Sequence, residues 1–80
     1  MQVIVEVVGW QEGFQKVACT ELLRTNAGLG LAEAKRATDG ILNGVKAVVP
    51  MPSQAAASLL SAELKSIGAY AHVTLLPQEM

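Results

Sequence analysis

Strong charge of either sign is missing from this sequence. Six Lys and Arg stand against seven Asp and Glu, a net charge of −1 over 80 residues. A nucleic-acid surface neutralises several phosphates with clustered basic side chains, so nucleic acid is not an expected partner. Aromatic residues are scarce as well. Trp10, Phe14 and Tyr70 are the whole set, too few for a base-stacking platform. Cys19 is the only cysteine, which excludes an intramolecular disulfide and a zinc cluster built on thiolates. The N-terminal MQVIVEVV lacks the basic leader and long apolar stretch of a secretory signal. It is also far shorter than the roughly 20 residues that span a bilayer. Together these absences point to a cytoplasmic chain with no membrane partner.

Catalytic equipment is equally thin. His72 is the sole histidine, set beside Val73 with no carboxylate near it in sequence to complete a proton shuttle. Cys19 falls mid-helix with no histidine within helical reach, and reads as a small helix residue rather than a nucleophile. The carboxylates are scattered singly. No enzyme activity, cofactor or metal is expected.

What the sequence does have is apolar periodicity. Residues 2–8 are rich in β-branched side chains and loosely alternating, with both faces largely apolar, and Gly9 is expected to end that strand. From Phe14 to Thr25 the period becomes helical, with Phe14, Val17, Ala18, Leu22 and Thr25 as the predicted buried stripe. A second helix is expected from Leu31 to about Thr38, followed by turn pairs Asp39-Gly40 and Asn43-Gly44. Val45 to Val49 reads as a second strand, stopped by Pro50-Met51-Pro52. Ser53 is placed to N-cap a third helix whose stripe is Ala57, Leu60, Leu64 and Ile67. Gly68 ends it, and Ala69 to Leu76 alternates as a third strand. The order β-α-α-β-α-β predicts one α+β domain over residues 1–80, a three-stranded antiparallel sheet with three helices packed on one face.

The stretch NAGLGLAEAK, Asn26 to Lys35, raises the question of a phosphate loop. A dinucleotide-binding fingerprint needs its glycines after a strand and opening a helix. Here they follow a helix, and the Gly-Lys-Ser/Thr of a Walker loop is absent. The stretch reads instead as a tight helix–helix corner, with Gly28 and Gly30 permitting the turn and Leu29 and Leu31 directed into the core. Around it runs a basic trace of Lys16, Arg24, Lys35 and Arg36, with Glu21 three residues before Arg24.

The string Lys16-Val17-Ala18, then Arg24, then Gly28-Leu29-Gly30-Leu31-Ala32-Glu33-Ala34-Lys35 resembles the C-terminal domain of the bacterial large-subunit ribosomal stalk protein. The likeness continues through Ser53, Ala57, Leu60, Leu64 and Gly68-Ala69, and so spans about Val3 to Val73. The family's fold has the same β-α-α-β-α-β order. The resemblance implies a non-enzymatic protein-binding module of translation that recruits translational GTPases through its first two helices. Carried over residue by residue, the implied protein-binding surface comprises Lys16, Val17, Thr20, Arg24 and Lys35, with Leu29 as a further apolar contact. Glu21 stands where the family has a lysine and reverses that charge. The family's N-terminal dimerisation and ribosome-anchoring domain has no counterpart in these 80 residues, so anchoring of the stalk kind is not expected.

A more distant resemblance is to the Clp protease adaptor fold, through His72-Val73-Thr74-Leu75-Leu76-Pro77. The adaptor's amine-gripping Asn-Asp pair is replaced here by Gly9-Trp10-Gln11-Glu12, so degron recognition is not expected. The alternative function is an adaptor, regulatory or immunity-type protein using the same fold with a different partner surface. Apolar residues on the second face of the first strand, Ile4 and Val8, are expected to lie uncovered. That predicts a homodimer or a constitutive partner through the open sheet face or an edge strand.

Overall fold

Six short elements leave this chain one economical arrangement, helices stacked on one side of a small sheet, and a computed structural model describing residues 2–77 has that form. The elements are β1 (Gln2–Trp10), α1 (Lys16–Thr25), α2 (Leu31–Leu42), β2 (Ala47–Met51), α3 (Gln54–Ser66) and β3 (Ala69–Leu76). The sheet order is β2-β1-β3, with both pairings antiparallel. This is the expected α+β fold in the expected β-α-α-β-α-β order.

Central placement explains why β1 is apolar on both faces. Val5 and Val7 are fully buried against the helices, in a core that draws on all six elements. Leu23, Ile41, Leu60, Leu64 and Val49 are its largest other fully buried members. Among the described residues no helix packs on the opposite face, yet Ile4 is only 3% exposed. Its cross-strand neighbours Pro50 and Thr74 flank it directly, close enough to shield a side chain between them. The expectation that Ile4 would be uncovered is therefore corrected, whereas Val8 is exposed as anticipated.

Several boundaries move for identifiable reasons. β1 continues past Gly9 to Trp10, through a register shift between Val7 and Gly9. The Tyr70 ring lies over Gly9, and its Cδ2 would sit 3.5 Å from a Cβ there. α2 runs through Asp39 and Gly40 to Leu42, because its last turn carries Ile41 into the core. The Leu42 carbonyl then accepts from Trp10 Nε1 at 3.3 Å. β2 begins at Ala47 and carries Pro50 inside it, which an edge strand tolerates where the missing N–H would face outward. α3 starts as predicted, with Ser53 Oγ accepting from the Ala56 N–H at 3.2 Å, and its buried stripe is Ala57, Leu60, Ser61 and Leu64.

α1 begins at Lys16, and its buried residues are Cys19, Thr20 and Leu23. The predicted stripe is thus rotated by about one residue, or roughly 100°. Val17 lies outside the core at 75% exposure. The corner between α1 and α2 also differs from expectation. Gly28 is needed for its backbone, with φ +71°, but Gly30 has φ −67° and serves as the N-cap of α2. Neither would bring a Cβ within 4 Å of anything, so close packing does not explain these glycines. Leu29 is half-buried against the core, anchored by its N–H to the Leu23 carbonyl at 3.1 Å. Leu31, expected in the core, is 48% exposed. The glycine that packing does require is Gly68. Its φ is +95°, and a Cβ there would meet the Phe14 Cα at 2.9 Å.

Candidate functional site

Where α1 and α2 pack, the seam between them is polar at its centre. Thr20 Oγ1 donates to Thr38 Oγ1 at 3.0 Å, and Thr38 Oγ1 donates to the Ala34 carbonyl at 3.0 Å. Thr38 also lies 3.5 Å from Cys19 Sγ, but its single proton is better used on the closer oxygen. The Lys16 carbonyl, 3.2 Å from Thr20 Oγ1, offers that hydroxyl a second acceptor. Among the described residues no buried side-chain nitrogen or oxygen lacks a partner. Cys19 is wholly buried, and burial pushes its thiol pKa up, which keeps it in the unreactive thiol form.

On its solvent side the same seam opens into a groove of about 310 Å³. α1 supplies Lys16, Val17, Thr20 and Glu21, and α2 supplies Leu31, Lys35 and Asp39. Both sets follow helical neighbour spacing, which is why one stripe from each helix lines the groove. Val17 and Leu31 are large apolar side chains left 75% and 48% exposed, with the cations of Lys16 and Lys35 beside them. Glu21 is partly engaged by Arg24, whose Nη1 lies 3.3 Å from its carboxylate. Both side chains are substantially solvated, so the pair adds little to stability.

Of the six residues expected at a binding surface, Lys16, Val17, Thr20 and Lys35 come together in this groove. Arg24 stands beyond it on α1 and reaches it only through Glu21. Leu29 is elsewhere. It lines a separate cleft of about 340 Å³ between α2 and the β2 segment, together with Arg36 and Val48. Leu31 and Asp39 were not anticipated. Their signal was the four-residue step Leu31, Lys35, Asp39, which sets all three on one stripe of α2 once the helix extends past Thr38.

A second polar cluster occupies the open face of the sheet. Glu6 accepts from Lys46 Nζ at 2.8 Å and from Thr74 Oγ1 at 3.0 Å, and its carboxylate lies 3.1 Å from His72 Nε2. The Lys46 hydrogen bond, followed by those of Thr74 and His72, lowers the Glu6 pKa to about 2. His72 therefore does have a carboxylate neighbour, directly across the β1–β3 ladder rather than near it in sequence. Glu6 thereby links β1 to β3 and to Lys46 just ahead of β2, which makes the cluster a cross-strand tie. Among the described residues, no group of three His, Cys, Asp or Glu side chains is placed to hold a metal ion, and no helix is long and apolar enough to cross a membrane.

No family model matches this chain, and no curated protein is similar enough to give it a relative.

Proposed function

We propose that this chain is a non-enzymatic protein-binding module that docks its partner in the groove between α1 and α2. The carrying observation is the pair Val17 and Leu31, two large apolar side chains held exposed on a rigid helix pair. Exposed apolar anchors bordered by charge are the usual composition of a docking site. Lys16 and Lys35 alternate with Glu21 and Asp39 along the groove, and the segment that fits is an amphipathic helix with apolar anchors flanked by charges of both signs. The resemblance of Lys16-Val17-Ala18 and Gly28 to Lys35 to the ribosomal stalk domain supports a translational GTPase as the source of that helix.

The test is a binding titration of the chain against a translational GTPase. Measurable binding by about 100 µM is expected, and the Lys16→Glu/Lys35→Glu double variant should weaken it roughly tenfold or more, through loss of electrostatic complementarity. Glu21→Lys restores the charge sign of the stalk family and should tighten it. No wild-type binding at that concentration removes the translation reading. Binding that ignores all three substitutions moves the site off this groove and favours the alternative, an adaptor or regulatory protein that uses another surface.

A further inference from the structure

The sheet has two outer edges, and they differ. β2 is five residues long and contains Pro50, with Lys46 immediately before the strand. Pro50 has no N–H, so its pair with Ile4 is not one of the doubly hydrogen-bonded pairs of the antiparallel ladder. Val5–Val49 is then a bonded pair, and Val48 and Pro50 turn their backbone groups outward. Proline and lysine on an outer edge are devices that prevent another strand from adding there.

β3 carries neither device. It runs for eight residues without proline, and His72 is its only ionisable side chain besides the Tyr70 phenol. Because bonding alternates along β1, Ile4 and Glu6 bond toward β3 and are met by Thr74 and His72. Ala71, Val73 and Leu75 therefore direct their N–H and C=O groups outward. Among the described residues no turn, loop or side chain hydrogen-bonds to those groups. Beside this edge lies a cleft of about 400 Å³, lined on α3 by Ser58, Ser61, Ala62 and Lys65 and on β3 by His72 and Val73. Ser58, Ser61 and Ala62 leave space there for the residues of an added strand, with the Lys65 stem along one side.

We propose that a second copy of the chain adds at this edge, β3 antiparallel to β3, with Val73 on the two-fold axis and both sheets joined into one. The strand is self-complementary about that residue. Ala71 would stand opposite Leu75 of the partner subunit, His72 opposite the partner's Thr74, and Tyr70 opposite the partner's Leu76. Small faces large, a ring faces an aliphatic chain, and no like charges oppose one another. The outward-bonding residues Ala71, Val73 and Leu75 are themselves symmetric about Val73, so each finds a bonding partner in the same register. Pro77, which cannot donate, falls opposite Ala69 and closes the ladder. This self-complementarity selects a second copy over a foreign peptide, and it is what an isologous contact requires. Tyr70, Leu75 and Leu76, now 52%, 42% and 39% exposed, would be covered.

Sedimentation equilibrium and amide hydrogen exchange test this together. The contact is small, so dimerisation is expected between about 10 and 500 µM, at the weak end of specific association. Over that range the mass should rise toward twice the 8.4 kDa of the chain. Exchange at Ala71, Val73 and Leu75 should slow at least about tenfold as the dimer fills. Leu75→Pro removes only an outward N–H, as Pro50 does on β2, and should give a monomer with unchanged circular dichroism. Leu75→Lys should give the same result without touching the backbone, and decides the matter if the proline variant fails to fold. A monomeric mass throughout the range overturns the proposal. So does a dimer in which these three amides still exchange fast, or one that survives Leu75→Lys.

Discussion

Replacing Thr38 with valine asks whether hydroxyls hold the α1–α2 seam, on whose outer side the proposed docking groove opens. Thr38 is 1% exposed, accepts from Thr20 Oγ1 at 3.0 Å and donates to the Ala34 carbonyl at 3.0 Å. Losing its hydroxyl does not orphan Thr20, which can turn to the Lys16 carbonyl 3.2 Å away. The cost should therefore be that of one net hydrogen bond, about 1 kcal/mol. Thr20→Val leaves Thr38 still donating to Ala34 and should cost about 0.5–1 kcal/mol. In the Thr20→Val/Thr38→Val variant no hydroxyl is left seeking a partner, and two apolar side chains meet across the seam. The double variant should then cost less than the sum of the singles by about 0.5 kcal/mol or more, as expected for residues in contact. Thermal unfolding resolves this, because 1 kcal/mol shifts Tm by roughly 4–8 °C in a domain of this size. Single costs that add to within about 0.3 kcal/mol would refute the coupling, since that is how independent sites behave. A neutral Thr38→Val would refute the hydrogen bond's contribution altogether.

Two further perturbations probe the sheet tie and the glycines. Glu6 has its pKa lowered from 4.5 to about 2, chiefly by Lys46, so it binds protons less readily folded than unfolded. Its stabilisation is thus complete above about pH 4.5 and is lost as pH falls through about 2; urea midpoints at pH 6 and pH 2 should differ less in Glu6→Gln than in wild type, and an equal difference would sink the assignment. Gly68→Ala should destabilise by more than about 1 kcal/mol, because φ is +95° and the new Cβ would lie 2.9 Å from the Phe14 Cα. Gly30→Ala, at φ −67° with open space around it, should cost less than about 1 kcal/mol, because the entropy removed from the unfolded chain offsets alanine's weaker N-cap preference. Equal melting temperatures for these two alanine variants would contradict the distinction.

Periodicity carried most of the fold. The β-branched run of β1, the Ser53 cap and stripe of α3, and the alternation of β3 are local signals, and the elements form where those signals lie. What periodicity could not carry was decided by tertiary contact. Asp39-Gly40 has the local character of a turn, but Ile41 beyond it has a place in the core, and burial extends the helix through both. Pro50 reads as a strand stop until β2 proves to be an edge strand, where a missing donor costs nothing. The groove between α1 and α2 was half legible. Lys16, Val17, Thr20 and Lys35 follow from the stalk-family resemblance, while periodicity assigns Val17 to the buried stripe, and the exchange of Leu29 for Leu31 depends on which way the chain leaves the corner. The Glu6–His72 contact joins residues 66 positions apart and could only follow from the strand register.

Docking between α1 and α2 is read most directly from a backbone amide shift map of the labelled chain titrated with a translational GTPase. Docking in the α1–α2 groove should place the largest shifts and broadening on Lys16, Val17, Thr20, Leu31 and Lys35, with Glu6, Pro50's neighbours Val49 and Met51, and the β3 residues little changed. Shifts concentrated on the β2 or β3 side of the sheet, or no shifts at saturating partner, would contradict it.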